Sequence, residues 1–201
     1  NKIYNNSKSK ITNPDSKINV VGLNADAGTG KSRLIYEFLK DNADIQSDGD
    51  YSIGFASNIS SKPYFIFTSL IKDIFGISEI DDLTATKDKL EKGVLNLKEN
   101  YNKDLLDEAL PFIGFLIGVK YDDSRLQDRT EFKNHMHISV KSIFEATCRF
   151  ANNKNKPYLF ILDDLHWIDK MSLDMLCYIF NTLNLSSKRN NNSLSYPMIL
   201  A

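Results

Sequence analysis

The sequence predicts an α/β layer sandwich built on a parallel sheet. Short apolar runs alternate with stretches of helical periodicity. A glycine-rich loop joins the first run to the first helical stretch, and the strongest run, "PYLFILDD" (157–164), ends in two carboxylates. Strands that alternate with helices pair in parallel, because each crossover returns the chain to the same end of the sheet.

In chain order, residues 1–16 are polar and predicted to be linker or disordered. "KINVVGL" (17–23) is rich in β-branched residues and bounded by turn formers, the pattern of a buried strand. Lys31–Asp41 places Leu34, Ile35, Phe38 and Leu39 at helical spacing. "YSIGFAS" (51–57) is a second strand, weakened by Gly54. Residues 62–150 read as a helical insertion between the second and third strands. Its first helix opens at Pro63 and stops at Gly76; "DDLTATKDKLEKGVLNLKENY" is charged enough to be an exposed helix; Pro111 breaks the next into two pieces; Glu131–Phe150 is amphipathic. The 157–164 strand follows, then the helix "MSLDMLCYIFNTLNL" (171–185), an Asn/Ser-rich loop at 186–195, and a last strand in "YPMILA".

Composition narrows the function. The 201 residues are 42% hydrophobic and 25% charged with a formal net charge of -1, so nothing global favours nucleic acid or an anionic membrane. No run is long and apolar enough to span a membrane, and no secretory signal is visible. Cys148 and Cys177 sit in apolar helical patterns and are expected to be reduced, packed thiols of a cytoplasmic protein. The missing initiator Met and the stop inside an apolar run predict a piece of a longer chain.

The loop "ADAGTGKSRL" (25–34) carries the chemistry. A triphosphate needs its charge neutralised with no bulky side chain in the way. A strand that ends in a glycine turn at a helix start offers converging backbone N–H groups and the positive end of the helix dipole. Gly28 and Gly30 allow the turn, Lys31 would reach the terminal phosphates, and the Ser32 hydroxyl would ligate Mg²⁺. The expected nucleotide contacts are Ala25, Ala27, Gly28, Thr29, Gly30, Lys31, Ser32 and Arg33. Ala25 replaces the motif's first glycine at a position where a methyl is tolerated.

Mg²⁺ also needs a carboxylate from a neighbouring strand. Asp163 is placed to hold the metal's water shell. Asp164, one residue on, is the predicted catalytic group that orients or deprotonates an attacking water. On ordinary grounds Trp167 is a packing residue, His166 a loop residue and Asp169 a helix cap. His135 and His137 lie on different helix faces, and no zinc spacing or nucleophilic triad stands out.

Together, "AGTGKSRL" and "YLFILDDLHWIDKMSLDML" resemble the STAND/AAA-like (origin-recognition-like) P-loop ATPase module of large signalling proteins. That module is best known behind the catalytic domains of soluble class III adenylyl and guanylyl cyclases. The likeness covers residues 18–201, and its more specific half is Asp163, Asp164, Leu165, His166, Trp167, Asp169, Ser172 and Leu173. Ala25, Ile168 and the Asn-rich loop depart from it. The resemblance implies a three-layer P-loop NTPase sandwich of the additional-strand type, with strand order fifth, first, fourth, third, second, truncated here after the fourth strand. Sensor residues, lid helices and any arginine on the γ-phosphate would lie beyond Ala201.

The implied function is an ATP/Mg²⁺-dependent switch with slow hydrolysis. Its partners would be ATP and an output domain of the same chain, a cyclase or kinase, with or without self-association. The alternatives are the ATPase module of a transcription regulator or kinase-fused protein, a non-hydrolysing nucleotide-dependent scaffold, and a small-molecule kinase. The helical insertion and the paired aspartates argue against the last.

Overall fold

In a computed structural model, residues 18–26, 28–42, 50–59, 62–128, 130–154, 156–189 and 196–201 are described. Four strands, β1 (Ile18–Gly22), β2 (Tyr51–Phe55), β3 (Leu159–Asp163) and β4 (Tyr196–Leu200), form one sheet in the order β1-β4-β3-β2. Every pairing is parallel, with Val21 opposite Ile199, Ile161 opposite Ile199 and Ile53 opposite Ile161. β1 and β3 therefore flank β4, and their carboxyl ends share one rim.

Among the described residues the α-helices are α1 (Lys31–Asp41), α2 (Phe65–Ile74), α3 (Leu83–Leu97), α4 (Lys103–Ile117), α5 (Phe132–Asn153) and α6 (Lys170–Arg189). They make two layers around the sheet. On one face, Ile35 and Leu39 of α1 pack on Leu159, Ile161, Ile199 and Ala201. On the other, α2 to α6 bury a larger core around Phe67, Phe112, Phe144 and Phe160, in which the rings of Phe144 and Phe160 stack at 4.2 Å. Strand alternation sorts β3 between these layers: Phe160 and Leu162 join the larger core, Leu159 and Ile161 the smaller. Asp163, two residues past Ile161, points to the α1 side by the same parity.

Several expectations need correction. Gly54, read as a weak point of β2, has a packing role: it lets α2 lie on the strand, since a Cβ there would stand 2.6 Å from the Ile66 carbonyl oxygen. The outer edge of β2 is closed by side chains of α2: Ile53 N–H donates to Asp73 Oδ2 at 2.8 Å and Phe55 N–H to Ser69 Oγ at 2.8 Å. α3 is not an exposed helix, because Thr86, Leu90, Val94 and Leu97 form a buried stripe beneath its charges. α4 runs unbroken through Pro111, whose lost N–H bond is outweighed by burial of Leu106, Ala109, Phe112 and Ile113 on both sides of it.

α6 continues to Arg189, into the stretch expected to be a loop; residues 190–195 and the N-terminal segment 1–16 lie outside the described residues. α2 begins at Phe65 rather than Pro63, after Tyr64 turns the chain at φ 62°. Cys148 is buried as expected, and burial holds its thiol well above its ordinary pKa, whereas Cys177 is exposed.

Candidate functional site

The glycine loop leaves β1 at Gly22 and enters α1 at Lys31. Gly28 and Gly30 have φ of 79° and 93°, the left-handed region that side chains disfavour, and nothing lies within 4 Å of a Cβ built at either. Glycine is thus required for the path of the chain, and the space above it stays clear. Thr29 closes the turn, its hydroxyl donating to the Asp26 carbonyl at 2.7 Å. Among the described residues no side chain caps the start of α1, so the N–H groups of its first turn and the positive end of its dipole are presented to the rim. This is the arrangement that binds an anion. Lys31 folds back over the loop, with Nζ donating to the Ala25 carbonyl at 2.9 Å.

Across the rim, Ser32 Oγ donates to Asp163 Oδ2 at 2.8 Å. The other oxygen of Asp163 accepts from the Asp164 N–H at 2.9 Å. Asp163 is only 5% exposed, and both of its carboxyl oxygens have a donor. The strand end is pinned as well: Ala56 N–H donates to the Asp163 carbonyl at 3.0 Å, and Leu165 N–H to that of Ala201 at 2.8 Å. Asp164 takes φ 60°, ψ 36°, a left-handed conformation carried by a non-glycine residue at the turn after β3. Asp tolerates it better than most residues because its short polar side chain bonds locally.

The predicted site residues therefore divide. Ser32 and Asp163 touch; Lys31 stands over the loop; Asp164 follows directly on the same rim. Ala25, Gly28, Thr29, Gly30 and Arg33 are exposed along the loop and the first turn of α1, and Ala27 lies outside the described residues. A hydroxyl and a carboxylate in mutual contact form a hard-oxygen donor pair of the kind Mg²⁺ takes, and the clear glycine loop suits a polyphosphate. The residues present fit both groups.

A groove of about 530 Å³ opens between Lys31 and Ala25 on one side and Leu165, His166 and Ala201 on the other. His166, which the sequence places in a loop, stands on the groove wall because it follows Asp164 at the carboxyl end of β3. Trp167 is not a packing residue: it is 48% exposed, with its ring 4.9 Å from that of His166. Asp169 caps α6 as expected through Ser172 N–H (2.9 Å) and Ser172 Oγ (2.5 Å). It also accepts from the N–H groups of Tyr64 (3.2 Å) and Phe65 (3.3 Å) at the start of α2. Among the described residues no cluster of three or more His, Cys, Asp or Glu could hold a metal, and no helix is long and apolar enough to cross a membrane.

A parallel sheet ordered β1-β4-β3-β2, with a glycine loop after β1 and an acid at the end of β3, defines the P-loop NTPase class. A family model described as the AAA ATPase domain matches residues 14–191. The chain belongs to that family, a family of nucleotide-binding P-loop ATPases. No curated protein and no solved structure gave a significant match.

Proposed function

We propose that the chain is an ATP-binding regulatory switch with slow hydrolysis, acting on an output domain of a larger intracellular signalling protein, with a class III adenylyl or guanylyl cyclase as the first candidate. The observation that carries the nucleotide part is the 2.8 Å bond between Ser32 Oγ and Asp163 Oδ2, which joins the loop to the acidic strand end. The loop N–H groups and the start of α1 would hold the phosphates, and Lys31 would exchange the Ala25 carbonyl for a phosphate oxygen of higher charge. Ser32 and Asp163 would hold Mg²⁺, which when bound neutralises charge developing on the phosphates. Asp164 would align a water and take its proton. The cyclase context rests on the likeness of residues 163–173 to that group of signalling modules.

Calorimetric titration of ATP and Mg²⁺ into the full-length protein and its Lys31→Ala variant tests the site. Binding in the wild type and loss of it in the variant are expected. Unchanged affinity in the variant refutes the assignment.

A further inference from the structure

At the opposite end of the sheet from the glycine loop, the starts of β2 and β3 border a second concavity. It has a volume of about 320 Å³ and lies between α2, α3 and α5. Its walls divide by chemistry. Phe75, Phe150 and Tyr158 contribute rings, Lys89, Lys92 and Lys154 contribute ammonium groups, and Asp50 contributes one carboxylate.

Gly93, in the middle of α3, gives Phe75 its place: a Cβ there would stand 2.3 Å from Phe75 Cδ1. Glycine inside a helix is destabilising relative to alanine, and here it lets an aromatic wall form against the helix backbone. The charges do not cancel. Lys89 bonds Asp81 at 2.6 Å, and Asp50 lies 3.6 Å from Lys156. Lys92 and Lys154 have no ion pair among the described residues; Lys154 Nζ stands 4.4 Å from the Phe150 ring centroid. Thr147, in the wall, is 4% exposed, and its hydroxyl has no hydrogen-bond partner among the described residues.

A ring-lined hollow with two uncompensated cations matches a ligand with a flat apolar body and an anionic end. Burial favours the body, and attraction to two ammonium groups at the exposed mouth favours the end. The volume lies at the lower end of the range for small-molecule sites, about 300–1,000 Å³, which suits one or two rings better than a nucleoside triphosphate. We propose that this concavity is a second ligand site, taking a small aromatic anion with its ring against Phe75 and Phe150 and its charge between Lys92 and Lys154. It is independent of the nucleotide site.

Naphthyl phosphate is the probe, titrated into the full-length protein and followed by calorimetry. Saturable binding is expected, at least tenfold tighter than that of naphthol or inorganic phosphate alone. The Lys92→Met/Lys154→Met variant keeps the apolar stems of two exposed residues and so keeps the fold, which circular dichroism checks. It should bind at least tenfold more weakly, while Lys31→Ala should bind as the wild type does. No saturable binding, equal affinity in the double variant, or loss of binding in Lys31→Ala would each overturn the proposal; the last would move the probe to the glycine loop.

Discussion

Ser32 and Asp163 are 131 residues apart in the chain and share a 2.8 Å hydrogen bond. The bond forms because α1 packs on Leu159 and Ile161, so its first turn meets the residue of β3 that shares their side of the sheet. Ser32→Ala should leave the fold intact, since Asp163 keeps the Asp164 N–H. Its magnesium-dependent ATP affinity should fall by about tenfold or more, the value of one hydrogen bond to a charged group. Titration with Mg²⁺ and with a chelator separates the two contributions; an equal loss under both conditions would remove Ser32 from the metal site.

Asp164 joins an exacting backbone to a chemical role. Asp164→Asn should retain ATP binding and lose at least about a hundredfold in turnover, the usual contribution of a general base. Asp164→Gly should lose turnover equally yet be as stable as the wild type or up to about 1 kcal/mol more stable, because glycine adopts φ 60° without strain. Phosphate release and urea denaturation measure the two effects. A destabilised Asp164→Gly would show that the carboxylate is structural.

Gly54→Ala would drive a methyl toward the Ile66 carbonyl oxygen at 2.6 Å and Leu70 Cβ at 3.0 Å. Neither atom is the far end of a flexible chain, so α2 must lift from β2. A loss of about 1–3 kcal/mol is expected from overpacking, read as a lower urea midpoint. An unchanged midpoint would mean that α2 has room to shift.

Asp169 begins two helices at once. Asp169→Ala removes caps from both α2 and α6 and should cost about 2 kcal/mol, near 1 per cap. Burial pushes this carboxyl up, but the bonds from Ser172, Tyr64 and Phe65 outweigh burial and hold it below the usual carboxylate value. A group lowered in the folded state lends stability above its unfolded value and loses it as pH falls through the folded one. The gap between wild type and Asp169→Ala should therefore be constant from about pH 5 to 8 and shrink below about pH 4. Denaturation across a pH series would test this; a gap that persists at pH 2 would assign the effect to packing.

The parts of the fold legible in the sequence are those whose cause is local. The apolar run 159–162 makes a buried strand in any α/β setting, Gly28 and Gly30 announce a turn of positive φ, and the sequence order of elements implies parallel pairing. That Ser32 and Asp163 lie near one another was legible because both were read as serving one Mg²⁺ and a parallel sheet brings its carboxyl ends to one rim; their direct hydrogen bond was not. The missed features depend on distant partners. Whether α3 buries a face is decided by α4 and α5, and whether α4 survives Pro111 by the packing around Phe112. The second cap of Asp169 exists only because α2, 104 residues earlier, arrives beside it. Trp167 is apolar by type but follows a rim turn, and position prevailed over composition.

The short tract from Asp163 to Asp169 begins against the glycine loop and finishes on the first turn of α2. Seven residues thus tether the sheet rim to the outer helical layer, with a hydrogen-bonded knot at each end. The leading end of α2, one turn ahead of the Phe67–Phe144 contact, is thereby fixed to the rim through covalent chain and hydrogen bonds rather than through packing alone.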